Sequence, residues 1–338
     1  MTEHYRAVQA TAPGELVLTE LPLTDPPAGH VRIRVEACGI CHSDGATVDA
    51  VFPVEFPRVP GHEVVGRIDA VGDGVEGWSA GDRVGVGWLG GQCNHCAQCR
   101  LGDFVNCENQ GVTGLHSDGG YAEVMIARET GLVRIPDELG SVDAAPLLCA
   151  GLTTFNALRN SPARPGDTVA IIGLGGLGHL AVQYARHMGF RVVAIARGPE
   201  KAELAKDLGA HHYIDSVATD PAEELLALGG ASVVVGTAAS SEASARLLTG
   251  LAPRGTLVVV GVGFEPLQIA GTDLVFPGRH VDGSLTGSSA DGEATLDFSA
   301  LQDVRSHNEV FGLAEAAQAY ARMSSGEARF RVVLDMAR

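Results

Sequence analysis

The stretch from Asp167 to Arg197, DTVAIIGLGGLGHLAVQYARHMGFRVVAIAR, constrains the fold more than any other part of the chain. It opens with a β-rich apolar run at 168–172, which leads into a G-x-G-x-x-G motif. Apolar residues then recur at roughly helical spacing, and a second β-rich run follows at 192–195. A glycine motif that leaves a strand, opens a helix and returns to a strand indicates a dinucleotide-binding unit with a doubly wound parallel sheet. A glycine-rich turn in an α/β domain without a ligand is the alternative interpretation.

The three glycines of this motif have separate expected tasks. Gly173 makes the tight turn, Gly175 lets a pyrophosphate approach the backbone, and Gly178 lets helix and strand pack closely. The first turn of the helix offers free N–H groups and the positive end of its dipole to phosphates. The predicted phosphate-binding turn therefore also includes Gly176 and Leu177.

The end of the second strand bears on the choice of cofactor. An acidic residue at that position would hydrogen-bond the ribose 2′-hydroxyl of NAD, but the sequence has Ala196 there, followed by Arg197. An arginine pairs well with a 2′-phosphate. The sequence therefore predicts NAD(P) with a preference for NADP. The alternative is that Arg197 stacks on adenine or points to solvent.

A second feature is a cluster of cysteines in the stretch CNHCAQCRLGDFVNC. Cys93, Cys96, Cys99 and Cys107 make up four of the seven cysteines in the chain. Tetrahedral zinc takes four thiolates, and such a closed site is structural. A bacterial iron–sulfur run would have three residues, not seven, before its last cysteine. We therefore predict a structural zinc, with four unrelated buried thiols as the alternative.

Three further segments contain metal-binding side chains without the spacing of a motif. ACGICHSD contains Cys41, PGHEVVG contains His62, and PLLCAGLTT contains Cys149. Catalytic zinc commonly takes three protein ligands and leaves a fourth position open. Each residue also has an ordinary alternative, because a lone cysteine is often a small buried hydrophobe and a histidine after Pro-Gly is often a turn residue. The residues alone leave this site open.

Composition narrows the classes of protein. The chain has 338 residues, enough for two domains, and a net charge of −17, which argues against nucleic acid as a partner. We expect no membrane span, because no apolar run reaches eighteen residues, and no secretory signal, because the N-terminus lacks a basic region before an apolar one. A cytoplasmic protein is expected, and there clustered cysteines hold metal more often than disulfides.

Over nearly its whole length, the chain resembles the zinc-dependent medium-chain alcohol dehydrogenases. The matching segments occur in the order of that family, and they are CGICHSD, PGHEVVGRIDAVGDGVEGWSAGDRVGV, CNHCAQCRLGDFVNC, DGGYAEV, LLCAGLTTFNAL, GLGGLG and EARFRVV. The resemblance implies an α/β protein with a β-rich, GroES-like catalytic domain (1–150 and 287–338) and a Rossmann domain (151–286).

The resemblance also implies roles for individual residues. Cys41, His62 and Cys149 match catalytic zinc ligands, and Glu63 matches a carboxylate close to the metal that exchanges on and off it. Asp44 matches the partner that holds the zinc-binding histidine. Ser43 matches the hydroxyl that takes the proton of the alcohol. The implied cofactor contacts are His42, Thr153, Lys201 and Arg331, and Trp88 resembles a wall of the substrate pocket.

One segment departs from the family pattern. Close relatives have a histidine soon after CHSD that delivers the proton to water, but this chain has GATVDA there. Asp49 is the only ionisable side chain in that segment. Three final acceptors of the alcohol's proton stay open: the nicotinamide ribose hydroxyl, Asp49 and solvent.

The predicted activity is reversible hydride transfer between an alcohol or carbonyl and a nicotinamide cofactor at a catalytic zinc, with two zinc ions per subunit. The expected partners are a small alcohol or aldehyde and further copies of the chain in a homodimer or homotetramer. A thiol-rich zinc or redox sensor, and a zinc lyase or hydrolase on the same scaffold, are the alternatives.

Along the chain, the patterns predict strands in ASVVVGTA, GTLVVVGV and FRVVLDM, and helices over 241–255 and 311–328.

Overall fold

The protein is described by a computed structural model that covers residues 3–261 and 263–338. Its internal contacts divide it into two compact units. One unit is the chain up to Leu152 together with Gly287–Arg338, and the other is Thr153–Thr286. Each unit contains a buried apolar cluster of its own. The first boundary lies two residues after the predicted one, and the assignment of roles to the two domains stays a prediction.

The N-terminal part of the first unit is mainly strands joined by short helices. Its elements are β1 (His4–Ala12), β2 (Glu15–Pro22), β3 (His30–Ile40), α1 (Gly45–Val48), β4 (Glu63–Val71), β5 (Arg83–Val86), α2 (Ala97–Arg100), β6 (Val124–Arg128), β7 (Leu132–Arg134) and α3 (Ser141–Ala144). Two 3-10 turns, His42–Asp44 and Ala145–Leu148, lie beside the candidate ligands.

Strands and helices then alternate. The elements are α4 (Ala150–Arg159), β8 (Thr168–Ile172), α5 (Gly178–His187), β9 (Arg191–Ala196), α6 (Ala202–Asp207), β10 (His212–Asp215), α7 (Pro221–Ala227), β11 (Ala231–Gly236), α8 (Ser241–Arg246), β12 (Leu251–Val259), α9 (Gly271–Val275) and β13 (His280–Gly283). The chain ends with α10 (Ser289–Gln302), β14 (Asn308–Gly312), α11 (Ala316–Ser324) and β15 (Arg331–Asp335).

In the first unit β1 and β2 form a two-stranded sheet, and a larger sheet positions the candidate ligands. Its strand order is β14-β15-β3-β4-β5-β7, with β6 also paired to β3. β3 and β4 are antiparallel, and Gly39 near the end of β3 pairs with Glu63 at the start of β4. The residues that follow β3 and those that precede β4 therefore lie at the same edge of the sheet.

The sheet of the second unit is parallel, with the order β10-β9-β8-β11-β12-β13. Numbered from β8, this is the order 3-2-1-4-5-6 of the Rossmann fold. Every residue of β8 is buried, because helices cover both faces of such a sheet and its central strands are apolar throughout. The predicted fold class, a β-rich domain plus a doubly wound parallel sheet, is confirmed.

Two predicted helices are too long. The helix expected over 241–255 ends at Arg246, and β12 already begins at Leu251, which pairs with Ala231 of β11. Pro253 cannot continue a helix because it lacks an N–H. The helix expected over 311–328 covers only Ala316–Ser324, since residues 308–312 pair with β15.

The strands predicted in ASVVVGTA and FRVVLDM coincide with β11 and β15. β12 begins four residues before GTLVVVGV and ends at Val259, and the last residue of that stretch, Val262, lies outside the described residues. β8 and β15 lie where they were expected, and Gly326 follows α11 with φ +73°. Of the helices within residues 3–261 and 263–338, none combines the length and the apolar character needed to cross a membrane. The cytoplasmic location stays a prediction.

Candidate active site

The four clustered cysteines converge around one point. Ligand atoms of Cys93, Cys96, Cys99 and Cys107 all lie within 4.8 Å of one another. The sulfur of Cys107 is 3.6 Å from that of Cys93 and 3.9 Å from that of Cys96. A disulfide would need about 2.05 Å, whereas a tetrahedron with 2.3 Å metal–sulfur bonds has sulfurs about 3.8 Å apart. The four thiols therefore fit tetrahedral zinc.

The backbone of this loop supports sulfur in its charged form. The N–H of Cys93 donates to the sulfur of Cys107 at 3.4 Å, and the N–H of Cys99 donates to that of Cys96 at 3.5 Å. The backbone N–H of His95 is the largest factor that lowers the pKa of Cys93, to about 5. Burial and the neighbouring thiols instead raise the pKa of Cys99. Four thiolates at such distances need a cation, which a zinc ion would supply.

A second group lies at the edge where β3 ends and β4 begins. Ligand atoms of Cys41, His62, Glu63 and Cys149 lie within 4.8 Å of one another. Cys41 follows β3, His62 precedes β4, and Cys149 follows the 3-10 turn Ala145–Leu148. A Cβ at Gly39 would lie 1.9 Å from Glu63 Oε2, so the space for this carboxylate depends on a glycine in β3.

The His62 ring is held so that one nitrogen faces the group. Its Nδ1 lies 2.8 Å from Asp44 Oδ1, and its ring packs edge-on against Trp88 with centroids 4.8 Å apart. Within the described part of the chain, the buried Nε2 has no hydrogen-bond partner. Burial opposes a charge on the imidazole, but Asp44 raises the pKa of His62 well above its usual value. An Nδ1–H bonded to a carboxylate leaves Nε2 free to bind a metal.

The two sulfurs of this group are close enough to influence each other. Interaction with Cys149 lowers the pKa of Cys41, and interaction with Cys41 raises the pKa of Cys149. A divalent cation would favour the deprotonated form of both, because only deprotonated cysteine is a metal ligand. The set therefore fits zinc by its chemistry: two sulfurs, one imidazole with an unpaired buried nitrogen, and a nearby carboxylate.

Glu63 and Arg331 form a buried ion pair. Arg331 donates from Nη2 to Glu63 Oε1, and the same nitrogen lies 3.3 Å from the carbonyl oxygen of Ile40. Among the described residues, Glu63 Oε2 has no hydrogen-bond partner. Burial raises the pKa of Glu63 to about 7, although Arg331 opposes this. The predicted pyrophosphate contact of Arg331 stays a prediction.

The 3-10 turn after Cys41 separates its side chains by exposure. Asp44 is buried, whereas His42 and Ser43 are exposed. Asp49 lies beyond α1, and its Oδ2 accepts a hydrogen bond from the Tyr320 hydroxyl at 2.5 Å. The proton-transfer roles of Ser43 and Asp49 and the cofactor contact of His42 stay predictions.

The glycine turn of the second unit has the close packing that its motif requires. A Cβ at Gly178 would lie 1.8 Å from the carbonyl oxygen of Gly173, and Gly173 itself has φ +94°. In contrast, apart from Gly175 itself and its two chain neighbours, no described residue has an atom within 4 Å of a Cβ placed at Gly175. Within the described residues, no side chain caps α5 at Leu177. Close packing on one side and open space at the helix N-terminus fit a phosphate group.

The end of β9 carries the two residues that were predicted there, and a further residue that was not predicted lies beside it. Ala196 is buried at the strand end, and Arg197 is exposed. Asp215, at the end of the neighbouring β10, accepts hydrogen bonds from the N–H of Gly198 at 2.9 Å and of Val217 at 3.0 Å. These bonds lower the pKa of Asp215. This carboxylate holds the turn after Arg197, and nothing in the local sequence of β9 indicates it.

Two further predicted cofactor contacts lie in this unit. Thr153 is buried near the start of α4, and Lys201 is half-buried at the end of a 3-10 turn, Pro199–Lys201. Both roles stay predictions. In the first unit, the sequence did not indicate a role for Tyr121, whose hydroxyl donates to Asp44 Oδ2 at 2.8 Å. Tyr121 lies in DGGYAEV, one of the segments that match the family, and this match was the sequence signal that pointed to this part of the chain.

Models of known protein families match segments of both units. Residues 27–137 match the model of the alcohol dehydrogenase GroES-like domain, and residues 176–300 match that of the zinc-binding dehydrogenase domain. Alcohol dehydrogenase notN of Aspergillus sp. (strain MF297-2) is 44% identical over 98% of this chain and 97% of its own length. Aldehyde reductase AdhA of Synechocystis sp. is 35% identical over 99% of this chain and 98% of its own.

Solved structures agree as well. A cinnamyl alcohol dehydrogenase from Sorghum bicolor superposes with a TM-score of 0.89 at 32% identity, covering 99% of this chain and 98% of its own. The CAD from Helicobacter pylori complexed with NADP(H) superposes with a TM-score of 0.87 at 27% identity, covering 100% of this chain and 99% of its own. The chain therefore belongs to the zinc-dependent medium-chain alcohol dehydrogenase family.

Proposed function

We propose that this chain transfers hydride reversibly between a small alcohol or its carbonyl product and a nicotinamide cofactor, at a zinc site formed by Cys41, His62 and Cys149. One observation carries the proposal. These ligand atoms and that of Glu63 come within 4.8 Å of one another, although the three segments are far apart in the sequence. Two cysteines and one histidine are the ligand set that alcohol dehydrogenases use for catalytic zinc.

The residues of the first unit have distinct tasks in this proposal. When bound, zinc supplies a Lewis acid that lowers the pKa of an alcohol or polarises a carbonyl. Asp44 holds the His62 ring so that Nε2 faces the metal, and Arg331 balances the charge of Glu63. The exposed Ser43 hydroxyl takes the proton of the alcohol. Trp88 packs against the His62 ring, and we propose that it also forms a wall of the substrate pocket.

We further propose a second, structural zinc at Cys93, Cys96, Cys99 and Cys107. Four sulfurs close the coordination sphere, so this ion takes no part in the reaction. Its expected contribution is to stability, because α2 has only four residues and the rest of the loop has no regular structure of its own.

The second unit is proposed to bind the nicotinamide cofactor, which supplies the hydride acceptor and donor. Gly173, Gly175 and Gly178, with Gly176 and Leu177, would hold the pyrophosphate at the start of α5. We propose NADP as the preferred form. The end of β9 has no carboxylate of its own, and Arg197 is exposed beside it.

Replacing Arg197 tests the cofactor preference. In Arg197→Ala, we expect kcat/KM with NADPH to fall about 10- to 100-fold, because a charge-assisted hydrogen bond contributes about 1.5–3 kcal/mol. The same parameter with NADH should change little. Steady-state kinetics with both cofactors at one carbonyl concentration measures the difference.

Arg191→Ala is the matched control. Arg191 is an exposed arginine at the start of the same strand, β9, and so lies at its other end. It should leave both cofactors unaffected. Equal losses with NADPH and NADH in Arg197→Ala, or no loss at all, would contradict a contact with the 2′-phosphate.

The activity itself is tested with purified protein, NADPH or NADH, and a panel of carbonyls that includes benzaldehyde, followed by absorbance of the reduced cofactor. Oxidation of the matching alcohols tests the reverse direction. A zinc or redox sensor would instead lose zinc on mild oxidation without turnover, and a lyase or hydrolase would leave the cofactor unchanged.

Sedimentation in solution would test the expected homodimer or homotetramer.

A further inference from the structure

The segment DGGY, residues 118–121, runs beside the residues that lead to His62. The N–H of Gly119 donates to the carbonyl oxygen of Val59 at 2.8 Å, and that of Tyr121 donates to Pro60 at 3.0 Å. Asp118 Oδ1 in turn accepts the N–H of Val59 at 3.0 Å. These bonds fix 118–121 against the backbone just before the metal-binding histidine.

The fit between the two segments has no spare room. A Cβ at Gly119 would lie 2.1 Å from the carbonyl oxygen of Gly61, and one at Gly120 would lie 2.4 Å from a methyl group of Val64. Gly61 has φ +100°, and a Cβ there would lie 2.5 Å from the Tyr121 ring. Since larger residues would push the segments apart, the glycines bring the Tyr121 ring directly over the turn before His62.

The Tyr121 hydroxyl belongs to a buried chain of hydrogen bonds that leads through Asp44 to His62. It donates to Asp44 Oδ2 at 2.8 Å, the N–H of Cys41 donates to the same oxygen at 2.9 Å, and Asp44 Oδ1 lies 2.8 Å from His62 Nδ1. Tyr121, Asp44 and His62 are 0%, 2% and 1% exposed. Because water cannot replace a missing partner here, each bond determines the position of the next group.

We propose that Tyr121 is a positioning residue for the catalytic metal, acting on His62 through Asp44. The inference rests on the proposed zinc site. The Tyr121 hydroxyl and the Cys41 N–H both hold Asp44 Oδ2, so Oδ1 is aimed at Nδ1 and Nε2 is aimed at the metal. Partners of this kind beyond the ligands orient the imidazole and strengthen metal binding. DGGY is thus a support for the metal ligand, and Tyr121 touches neither substrate nor cofactor in this role.

The test is the zinc affinity of Tyr121→Phe, which keeps the ring and removes only the hydroxyl. We expect one of the two zinc ions to bind about 10- to 100-fold more weakly, the range typical of lost outer partners. The other ion, at the four cysteines, should be unaffected and serves as an internal reference. Competition with a chelator of known affinity, with zinc counted by mass spectrometry, measures both sites without any turnover.

Tyr320→Phe is the matched control. It removes a tyrosine hydroxyl that also donates to a carboxylate of the same unit, but this carboxylate belongs to Asp49. Among the described residues, Asp49 is not one of the proposed zinc ligands. Its affinity for both zinc ions should equal that of the wild type. A similar loss in both variants would show a general loosening of the unit and would overturn the specific role of Tyr121.

A double-mutant cycle tests the route through Asp44. In an Asp44→Asn background, Tyr121→Phe should weaken zinc binding by a much smaller factor than in the wild type, because groups in one network are not additive. If the two effects multiply independently, Tyr121 does not act through Asp44 and the inference fails.

The outcomes separate this inference from the proposed function. A wild-type protein that never binds two zinc ions contradicts the proposed function, whereas two ions with unchanged affinity in Tyr121→Phe contradict the inference alone. If Tyr121→Phe cannot be purified in folded form, Asp44→Asn takes its place. Unchanged zinc affinity in that variant breaks the proposed chain at its centre.

Discussion

Cys149→Ala is expected to lower kcat/KM by about 10³-fold or more while the protein remains folded. The variant removes one of the two sulfurs of the proposed catalytic zinc site. Lewis-acid catalysis by a metal contributes several kcal/mol to the transition state, and about 4 kcal/mol corresponds to 10³ in rate. The measurement is turnover of benzaldehyde with NADPH, made beside zinc content after dialysis against a chelator, which should fall from two ions to one.

Cys38→Ala is the matched control for this variant. Cys38 is a fully buried cysteine of the same unit that belongs to neither cysteine group. It should retain two zinc ions and full turnover, with at most a modest loss of stability. If Cys149→Ala keeps wild-type activity, or loses activity only because it unfolds, the proposed catalytic site is wrong.

Cys99→Ala is expected to act mainly on stability. A structural zinc contributes its binding free energy to folding, about 10–16 kcal/mol in small zinc peptides, and a point substitution without such a role costs about 1 kcal/mol. We expect the free energy of unfolding to fall by several kcal/mol, with loss of one zinc ion. Thermal unfolding and zinc content measure the two effects.

Leu101→Ala controls for changes in the same loop. Leu101 lies two residues further along and is 80% exposed, so its removal should leave zinc content and melting temperature nearly unchanged. Full zinc content and an unchanged melting temperature in Cys99→Ala would contradict a structural metal at this loop.

The parts of the fold that follow local rules could be predicted closely. The run 168–172 forms β8 at the predicted bounds, and the glycine turn leads into α5 as expected. Strand, turn and helix there depend on neighbouring residues, whose apolar spacing and glycines are visible in a short window. The four-cysteine loop is of the same kind, because all its candidate ligands lie within fifteen residues.

Predictions failed where distant residues compete with local preference. Gly250, Pro253 and Gly255 already weaken the helix predicted over 241–255, and Leu251 pairs with Ala231 and begins a strand. Asp215 reaches the turn after Arg197 only because β10 lies beside β9. A pairing partner on another strand is not visible in the local pattern, and its contacts outweigh propensity.

The sequence by itself determined the glycine turn and the cysteine loop, because each lies within one short stretch of residues, and it determined the family through several short motifs in a fixed order. The meeting of Cys41, His62 and Cys149 was expected only from the family resemblance, and the tertiary structure brings their ligand atoms together. Only the tertiary structure decided that Arg331 pairs with Glu63 and that the Tyr121 hydroxyl donates to Asp44. The physical reason is that antiparallel pairing of β3 with β4 places the end of one strand beside the start of the other. Residues far apart in the chain then share one buried site, where each unpaired polar atom needs a partner.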